Sequence, residues 1–429
     1  MPKHCRSIRP FAAALLLAAG LALASLSTAA GAATLEAAYV VLGPQGPVAR
    51  AVLTGASACP RIRIGGTARR MQVRALPGKE AAFPILVCEF LIPPGAKAAR
   101  VSGRLLPVPK PALRSLVTFG DSGCRIKAWE ANGHEEGEFQ DCNKPSSWPF
   151  ALLSWRVAAM KPGLVIHVGD YLYRENPCPP QDKGCQGSPS GDNWETWKAD
   201  FFTPARALLH AAPWIMVRGN HEDCKRSWGG YVLLLDPAPI PTACKTLIPQ
   251  YKVTTGGRSF IVLDTSTTDD ACTTNCNAKP YADEFAAMKP TPGTWLVSHK
   301  PVWAFSGDTV ATPLLQQALQ AWNGRLPPGV DLALAGHIHL WEALSFADKR
   351  TPQLVVGTGG SSLNPALDKP LTGRAIAGTT VSIGYTAHAW GMTVMKPAAG
   401  GAWTTRVVTA DGKPLSRCKV TPTAVRCDP

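Results

Sequence analysis

Short apolar runs separated by glycine and proline fill the first part of the chain. Between about Thr34 and Pro111 these runs have the length of strands and show no helical period; they are AAYVVL, ARAVL, RIRIGG, RRMQVRAL, FPILVCEFLI and ARVSGRLL. Apolar runs of this length, broken by turn residues, are typical of antiparallel strands. We therefore expect a small antiparallel β domain over residues 33–111, closed by a proline-rich linker at 107–114.

From residue 112 the pattern changes to strand-like apolar runs that alternate with helix-like segments. Two of the helix-like segments are WPFALLSWRVAAMKPG and TPLLQQALQAWNGR. This alternation predicts an α/β (α+β) domain over residues 112–396. We expect a C-terminal β tail with a disulfide over residues 397–429. The loops that leave the strands carry the chemistry in such domains, so the residues after each strand are the first candidates for function.

The N-terminus has the pattern of an export signal. The stretch MPKHCRSIRP, with Lys3, Arg6 and Arg9, precedes the apolar run FAAALLLAAGLALASL, which is too short to span a membrane and is followed by small residues. We predict a signal peptide over residues 1–32 and a mature protein that is secreted or periplasmic and has no membrane anchor.

Composition and charge limit the ligands that this protein is expected to bind. The chain has 429 residues, of which 45% are hydrophobic, so it can bury a sizeable core. It carries 44 Lys and Arg against 30 Asp and Glu, a formal charge of +14, yet no run of basic residues exceeds two. This scattered charge favours anionic ligands but predicts no specific nucleic acid recognition, and it indicates no particular oligomeric state.

The cysteines indicate an oxidising compartment. Thirteen are present, and removing Cys5 with the signal peptide leaves twelve, enough for six disulfides. A thiolate zinc site is disfavoured because the chain has no pair of CxxC motifs. The short spacings predict the pairs Cys59 with Cys88, Cys124 with Cys142, Cys178 with Cys185, Cys224 with Cys244, Cys272 with Cys276, and Cys418 with Cys427.

Five apolar runs each end in a side chain that can bind a metal. SLVTFGDSG ends in Asp121, GLVIHVGDYLY in Asp170, PWIMVRGNHED in Asn220, TWLVSHKP in His299, and DLALAGHIH in His337 and His339. A glycine precedes four of these groups and would let the backbone turn sharply after the strand. Carboxylates and an amide oxygen combined with imidazoles suit transition metals better than calcium or a thiolate zinc site, so the pattern predicts a two-metal centre.

The motifs GDSG, GDYLY, GNHE, VSH and GHIH, in this order, resemble those of the calcineurin-like metallophosphoesterases. Within that superfamily the chain is similar to the purple acid phosphatases over roughly residues 115–395, including the segment WETWKADFFTPARALLHAAPW. The resemblance implies that residues 112–396 form a catalytic domain with a four-layer αββα sandwich, and that the β domain before it, residues 33–111, is β-sandwich-like. Most of the superfamily has Asp-x-His in the first motif, whereas Gly123 stands at the histidine position here; the purple acid phosphatases compensate with a tyrosine, and Tyr173 has the matching spacing.

The resemblance also implies two sets of metal ligands. The first metal would be held by Asp121, Tyr173 and His339, the second by Asn220, His299 and His337, and Asp170 would bridge the two. A hard, highly charged cation stabilises a phenolate, so Fe³⁺ is expected at Tyr173, with Fe²⁺, Zn²⁺ or Mn²⁺ as the second metal. Tyr171 is off this spacing and is expected to pack or to line a pocket.

The function implied by the resemblance is that of an acid phosphatase-like enzyme, which hydrolyses phosphate monoesters of small molecules or proteins by attack of a metal-bound hydroxide on phosphorus. His221 would bind a phosphoryl oxygen or protonate the leaving alkoxide, oriented by Glu222 or Asp223. The alternatives are a phosphodiesterase or nucleotidase on the same scaffold and, more distantly, a non-catalytic, metal-stabilised binding module. We expect His167, inside an apolar run, to be a core histidine.

Overall fold

Two large β-sheets packed face to face form the centre of the fold. The computed structural model describes residue 1 and residues 33–78, 82–131, 134–274 and 276–428. Apart from residue 1, the predicted signal peptide lies outside the described residues. Residues 33–429 form one unit.

The first sheet has eleven strands and a parallel middle. The parallel strands β9, β12, β13 and β1 are flanked by antiparallel strands on both sides, and the order across the sheet is β27-β26-β25-β24-β9-β12-β13-β1-β2-β6-β5. The strands are β1 (Thr34–Gly43), β2 (Gly46–Thr54), β5 (Gln72–Ala75), β6 (Leu86–Leu91), β9 (Leu116–Phe119), β12 (Val165–His167), β13 (Trp214–Met216), β24 (Gly391–Pro397), β25 (Trp403–Thr409), β26 (Pro414–Thr421) and β27 (Ala424–Cys427).

The second sheet has eight strands in the order β14-β15-β16-β19-β21-β20-β23-β22 and is parallel from β15 to β21. Its strands are β14 (Tyr251–Thr255), β15 (Arg258–Leu263), β16 (Thr294–Ser298), β19 (Val330–Ala335), β20 (Trp341–Phe346), β21 (Gln353–Val356), β22 (Ala375–Ile376) and β23 (Thr379–Ala387). Both sheets are therefore parallel at their centres, and the carboxyl ends of their central strands carry the loops named above.

Three smaller sheets and six helices complete the described fold. The smaller sheets join β3 (Arg61–Ile64), β4 (Thr67–Arg70), β7 (Ala99–Val101) and β8 (Arg104–Leu106); β10 (Ile126–Ala131) and β11 (His134–Phe139); and β17 (Phe305–Ser306) and β18 (Thr309–Val310). The helices are α1 (Phe150–Ala159), α2 (Trp194–Trp197), α3 (Arg206–Ala211), α4 (Trp228–Gly230), α5 (Lys279–Ala287) and α6 (Pro313–Ala318). Turns of 3-10 or π type span Lys198–Phe202, Asn220–Glu222, Tyr231–Leu235, Gln320–Trp322 and Ala399–Gly401.

Apolar side chains fill three layers between the elements. Ile166 of the first sheet and Val297 of the second belong to one buried cluster, which lies between the sheets. Helices α1 and α3 cover the outer face of the first sheet through a second cluster, and α5 and α6 cover the outer face of the second sheet through a third. Burial of the strands on both faces explains their continuous apolar runs, and the predicted four-layer αββα sandwich is confirmed.

The division at residue 111 is wrong as a structural boundary. Strand β1 pairs in parallel with β13, with Val41 opposite Trp214, so β1, β2, β5 and β6 extend the first large sheet. The sheet of β3, β4, β7 and β8 packs Ile62 and Val101 into the core between the large sheets. Residues 397–429 likewise extend the first sheet through β25, β26 and β27. Antiparallel patterning within a segment predicts hairpins, but it does not show which strand the outer edge will join.

All six predicted disulfides are present, with the predicted pairing. Such a set of bridges indicates an oxidising environment of the kind that exported proteins meet. Across the described part of the chain, no helix combines the length and the apolar character that crossing a bilayer requires.

Glu342 on β20 is a fully buried acid outside the set of predicted ligands. Its Oε2 accepts a hydrogen bond from the backbone N–H of Phe305 at 3.2 Å, whereas Oε1 has no hydrogen-bond partner among the described residues. Burial raises the pKa of Glu342 from 4.5 to about 8. Glu342 therefore loses its proton at a lower pH in the unfolded chain than in the folded chain. The stability that protonated Glu342 contributes is present below pH 4.5 and is lost as the pH rises towards 8.

We therefore expect Glu342→Gln to flatten this pH dependence. The variant should gain on the order of a few kcal/mol of unfolding free energy relative to wild type at pH 8, and much less at pH 5. Urea unfolding of both proteins at several pH values measures the difference. Parallel stability curves would show that Glu342 does not titrate in this way.

Candidate metal centre

The loops after β9, β12 and β13 of the first sheet meet the loops after β16 and β19 of the second. Backbone hydrogen bonds join the first two loops: the N–H groups of Asp121 and Ser122 donate to the carbonyls of Gly169 and Asp170. Because the carboxyl ends of the parallel strands face one edge of the sandwich, their side chains converge there. The structure brings together all eight candidates, which are Asp121, Asp170, Tyr173, Asn220, His221, His299, His337 and His339.

Tyr173 lies at the centre of one half of this cluster. Its hydroxyl oxygen is 3.0 Å from Oδ1 of Asp121, 2.9 Å from Oδ2 of Asp170 and 2.8 Å from Nε2 of His339. Nε2 of His339 is also 3.2 Å from Asp121. The Nδ1 atom of His339 is held 2.5 Å from the carbonyl of Ser362, which leaves Nε2 directed at the phenol.

Asn220 lies at the centre of the other half. Its Oδ1 is 2.8 Å from Nε2 of His299 and 2.9 Å from Nδ1 of His337. Nε2 of His299 is 3.2 Å from Oδ2 of Asp170, so Asp170 contacts both halves. One ligand atom each from Asp170, His299 and His337 lies within 4.8 Å of the other two.

The backbone is left-handed at three of these residues. The φ angle is 58° at Asp121, 60° at Asp170 and 69° at His337. This conformation is costly for residues other than glycine, and such strain is commonly concentrated at functional sites. The sharp turn expected from the preceding glycines is thus made largely by the site residues themselves.

The glycines mainly allow close approach of the loops. Gly169 has a φ of 103°, and a Cβ atom there would lie 2.6 Å from Nδ1 of His299. At Gly219 a Cβ would collide with the carboxylate of Asp170. A side chain at either position would push apart the residues that form the cluster.

The chemistry of the cluster fits bound cations. Tyr173 can donate only one hydrogen bond, yet three acceptor atoms surround its hydroxyl oxygen. Burial and then the charges of Asp121 and Asp170 raise the pKa of Tyr173 well above its usual value. Two buried carboxylates around a phenol therefore need a positive charge among them, and the oxygen and imidazole donors suit transition metals.

His221 lies beside the cluster, between Asp170 and Glu175. Its Nε2 is 3.8 Å from Oδ2 of Asp170, and its Nδ1 is 2.7 Å from Oε1 of Glu175. Its ring lies against that of Tyr173, with the centroids 4.0 Å apart. The residue that faces Nδ1 is therefore Glu175 and not Glu222 or Asp223, which were the candidates from the sequence.

Glu222 has a different role, which the sequence did not indicate. Its carboxylate accepts hydrogen bonds from four backbone N–H groups, those of Asp170, Tyr171, Leu172 and Gly219, at 2.8–3.2 Å. It therefore joins the loop after β12 to the loop after β13. The feature of the sequence that could have drawn attention to Glu222 is its position two residues after Asn220.

Asp200 supports the Tyr173 loop from the other side. It is fully buried and accepts hydrogen bonds from the backbone N–H groups of Cys124 and Tyr173, at 3.1 and 2.8 Å. Its Oδ1 also accepts one from Nε of Arg174 at 2.6 Å. Asp200 lies in a helical segment without a local motif, so nothing near it in the sequence indicated this contact.

His167 and Tyr171 lie in the core beneath the cluster. His167 is fully buried, with Nε2 2.8 Å from Oγ of Ser122 and Nδ1 accepting from the N–H of Gly169 at 3.2 Å. Burial lowers its pKa to about 3, so it is a neutral core histidine, as predicted. The ring of Tyr171 stacks on it at 3.9 Å, which confirms that Tyr171 packs.

Asp270 contacts the outer nitrogen of His337. Its Oδ2 is 3.0 Å from Nε2 of His337 and accepts a hydrogen bond from Nζ of Lys300 at 2.6 Å. Burial opposes ionisation of Asp270, but His337 and Lys300 outweigh it and lower the pKa of Asp270 to about 2. A carboxylate in this position fixes the ring of a metal-binding histidine and makes its other nitrogen more basic.

We expect Asp270→Asn to weaken metal binding by about 10- to 100-fold while leaving the fold intact. Calorimetric titration of the metal-free protein with Zn²⁺ or Mn²⁺ measures the change. The neighbouring carboxylate of Asp269, which accepts from the N–H of Ala271, provides the control Asp269→Asn. Equal affinity in the two variants would contradict a role for Asp270 at the site.

Comparison with known proteins gives a family match over part of the chain. Residues 148–340, a little under half of it, match the family model described as Calcineurin-like phosphoesterase. The match implies a metal-dependent phosphoesterase domain with a binuclear metal site. It contains six of the seven predicted ligands and His221, and Asp121 precedes it.

Solved structures provide a comparison of the fold. PhoD aligns over 92% of this chain and 92% of its own, with a TM-score of 0.52 and 12% sequence identity. GAP50, the anchor in the inner membrane complex of Plasmodium, aligns over 72% of this chain and 89% of its own, with a TM-score of 0.41 and 15% identity. No curated protein sequence matches the chain significantly. At 12% identity the similarity to PhoD shows a shared fold and nothing further.

Proposed function

We propose that the protein is an exported, binuclear-metal phosphatase of the purple acid phosphatase type, which hydrolyses phosphate monoesters. The observation that carries this proposal is the convergence of seven oxygen and nitrogen donors, with Asp170 in contact with both halves of the cluster. The six disulfides support export. All seven ligand positions are filled, which argues against a binding module that has lost its catalysis.

The two halves of the cluster would each hold one cation. Asp121, Tyr173 and His339 would hold Fe³⁺, while Asn220, His299 and His337 would hold a divalent metal, Fe²⁺, Zn²⁺ or Mn²⁺, and Asp170 would serve both. Bound there, the two cations would bind phosphoryl oxygens and lower the pKa of a water molecule.

His221 would act on the leaving group. Its Nε2 lies on the side of the cluster, 3.8 Å from Oδ2 of Asp170, whereas Nδ1 faces the carboxylate of Glu175. That carboxylate stabilises a protonated imidazole, and it opposes the burial that lowers the pKa of His221. A proton held at Nε2 can pass to the alkoxide as the ester bond breaks.

Parallel assays with p-nitrophenyl phosphate and bis(p-nitrophenyl) phosphate test this proposal. A phosphomonoesterase should hydrolyse the monoester with the higher kcat/KM, and removing the metals should abolish the activity. Preference for the diester would favour the phosphodiesterase alternative. No turnover of either ester by metal-replete protein would contradict the proposal and favour a binding module.

A further inference from the structure

The outer face of the four strands β24, β25, β26 and β27, called the basic face below, carries a cluster of exposed cations. Its five basic residues are Lys396, Arg406, Arg417, Lys419 and Arg426. We propose that the basic face is a docking site for a linear polyanion, a chain of linked phosphate groups, which it binds away from the metal centre without cleaving it. The inference does not depend on the proposed function.

The alternation of side chains along the strands defines this face. Val394 of β24 belongs to the apolar cluster beneath α1, on the outer side of the first sheet, whereas its neighbour Met395 belongs to the core between the two large sheets. Arg406 lies opposite Val394 and therefore shares the outer face. Val407, next to Arg406, is buried in the core between the sheets, as this alternation requires.

The register across the four strands arranges the outer residues in two rows. The first row is Val394, Arg406, Arg417 and Asp428, and the second is Lys396, Thr404, Lys419 and Arg426. Neighbouring strands are about 4.8 Å apart and the rows are two residues apart, so the grid measures roughly 14 Å by 7 Å between Cα positions.

Two pairs of like charge lie directly opposite each other in this grid. Arg406 is opposite Arg417, and Lys419 is opposite Arg426. Like charges in such positions destabilise an antiparallel pair of strands. Among the described residues none of the five basic groups forms an ion pair, and Asp428 contacts Arg417 through its backbone N–H. A bound anion would relieve this repulsion.

Protection of the sheet edge does not explain the arrangement. Edge strands often carry lysine, which prevents their pairing with another chain. Strand β27 is the edge of the first sheet and carries Arg426, but Arg406 and Arg417 lie on β25 and β26, which are paired on both sides. The cations cover the face of the sheet and are not confined to its edge.

The basic face is one wall of a cleft of about 610 Å³ beside α1. Met160, which directly follows α1, lines the cleft together with the basic residues. A planar bilayer would meet α1 before it reached the strands, whereas a flexible chain can lie along them. A single phosphate is too small to contact all five cations of the grid. Arginine is suited to a phosphate chain because its planar fork of donors matches phosphate oxygens.

The basic face is distinct from the metal centre. Met395 lies opposite Leu116, the first residue of β9, so Lys396 is level with Ser115. Asp121 comes six residues later, which at about 3.3 Å per residue places it roughly 20 Å away along the strand. The remaining basic residues are on strands that lie further from β9 across the sheet.

Binding of a polyphosphate chain that carries a fluorophore at both ends tests the proposal, because a blocked chain offers no terminal phosphate to the metal centre. Fluorescence anisotropy with the metal-loaded protein should show an affinity that falls about 100-fold between about 50 and about 200 mM salt, since a flexible strand held by five contacts releases counterions. The double variant Arg406→Gln with Lys419→Gln should bind about 10- to 50-fold more weakly, with a shallower salt dependence.

The matched control is the double variant Arg69→Gln with Lys289→Gln, which removes the same charge at exposed positions elsewhere. It should bind polyphosphate like wild type, and both double variants should hydrolyse p-nitrophenyl phosphate with the kcat/KM of wild type. No binding by wild type, or equal losses in the two double variants, would overturn the docking site. A loss of turnover confined to the basic-face variant would assign these residues to the metal centre and would also overturn it.

Two further probes separate a phosphate chain from other anionic partners. Sedimentation with phosphatidylglycerol vesicles tests a lipid surface, and binding of heparin tests a sulfated chain. We expect the basic-face variant to lose affinity for polyphosphate more than for either probe. A variant that keeps its affinity for polyphosphate but loses binding to vesicles or to heparin would overturn the proposal in favour of that partner.

Discussion

Replacing His221 with alanine is expected to lower kcat by about 10²- to 10⁴-fold, the usual contribution of a general acid, while both metals stay bound. The side chain approaches Asp170 only to 3.8 Å, whereas the backbone N–H of His221 donates to Oδ1 of Asp170 at 2.9 Å and survives the substitution. Steady-state kinetics on p-nitrophenyl phosphate, together with metal analysis of the same samples, measure the effect.

Substrates whose leaving groups differ in basicity test whether His221 acts as a proton donor. If His221 protonates the leaving oxygen, the loss should be large for an alkyl phosphate, whose leaving group is strongly basic, and smaller for p-nitrophenyl phosphate. His210→Ala, at an exposed histidine on α3, is the matched control and should match wild type. A variant that loses its metals would instead assign His221 to the metal site.

The positions of the candidate ligands could be predicted from the sequence because each is adjacent to its own strand. A strand such as β12 is an apolar run, and parallel strands deliver their next residues to one edge of the sheet. The side chain that lies at that edge, such as Asp170 or His299, can then be identified from the sequence even when the order of the strands is unknown. The same locality made the disulfides predictable, since the paired cysteines are close in sequence.

What the sequence did not indicate depends on contacts between distant segments. Pairing of Val41 with Trp214 places β1 in the large sheet, and no feature of residues 33–111 specifies that partner. Asp270 reaches His337 from the loop between β15 and α5, and Glu175 reaches His221 from the loop after β12. In these last two cases a common polar residue acquires its role only because loops from different strands of one sheet converge.

The two tyrosines of the GDYLY motif now have separate structural positions. Tyr171 is directed into the core, against His167, and Tyr173 is directed into the cluster of carboxylates and imidazoles. Both follow Asp170, whose backbone is left-handed. This difference makes the pair a matched set for testing the metal centre.

Tyr173→Phe is expected to remove the phenolate ligand and with it the phenolate-to-Fe³⁺ absorption in the visible range. Without the phenolate, two carboxylates and one imidazole would hold the first metal, and its affinity should fall by more than the roughly 10- to 100-fold typical of losing an outer hydrogen-bond partner. Turnover should fall with the occupancy of that site. The visible spectrum, measured beside iron analysis of the purified protein, reports both changes.

Tyr171→Phe is the control, because it removes a phenol from the same loop without altering the cluster. Its hydroxyl lies 3.5 Å from the carbonyl of His167 and contacts none of the predicted ligands among the described residues. This variant should keep the absorption band, the iron and the activity. A band that persists in Tyr173→Phe would show that Tyr173 is not the phenolate bound to Fe³⁺. A colourless wild-type protein with full activity would show that the centre works without Fe³⁺ bound to a phenolate, and two divalent metals would then fill it.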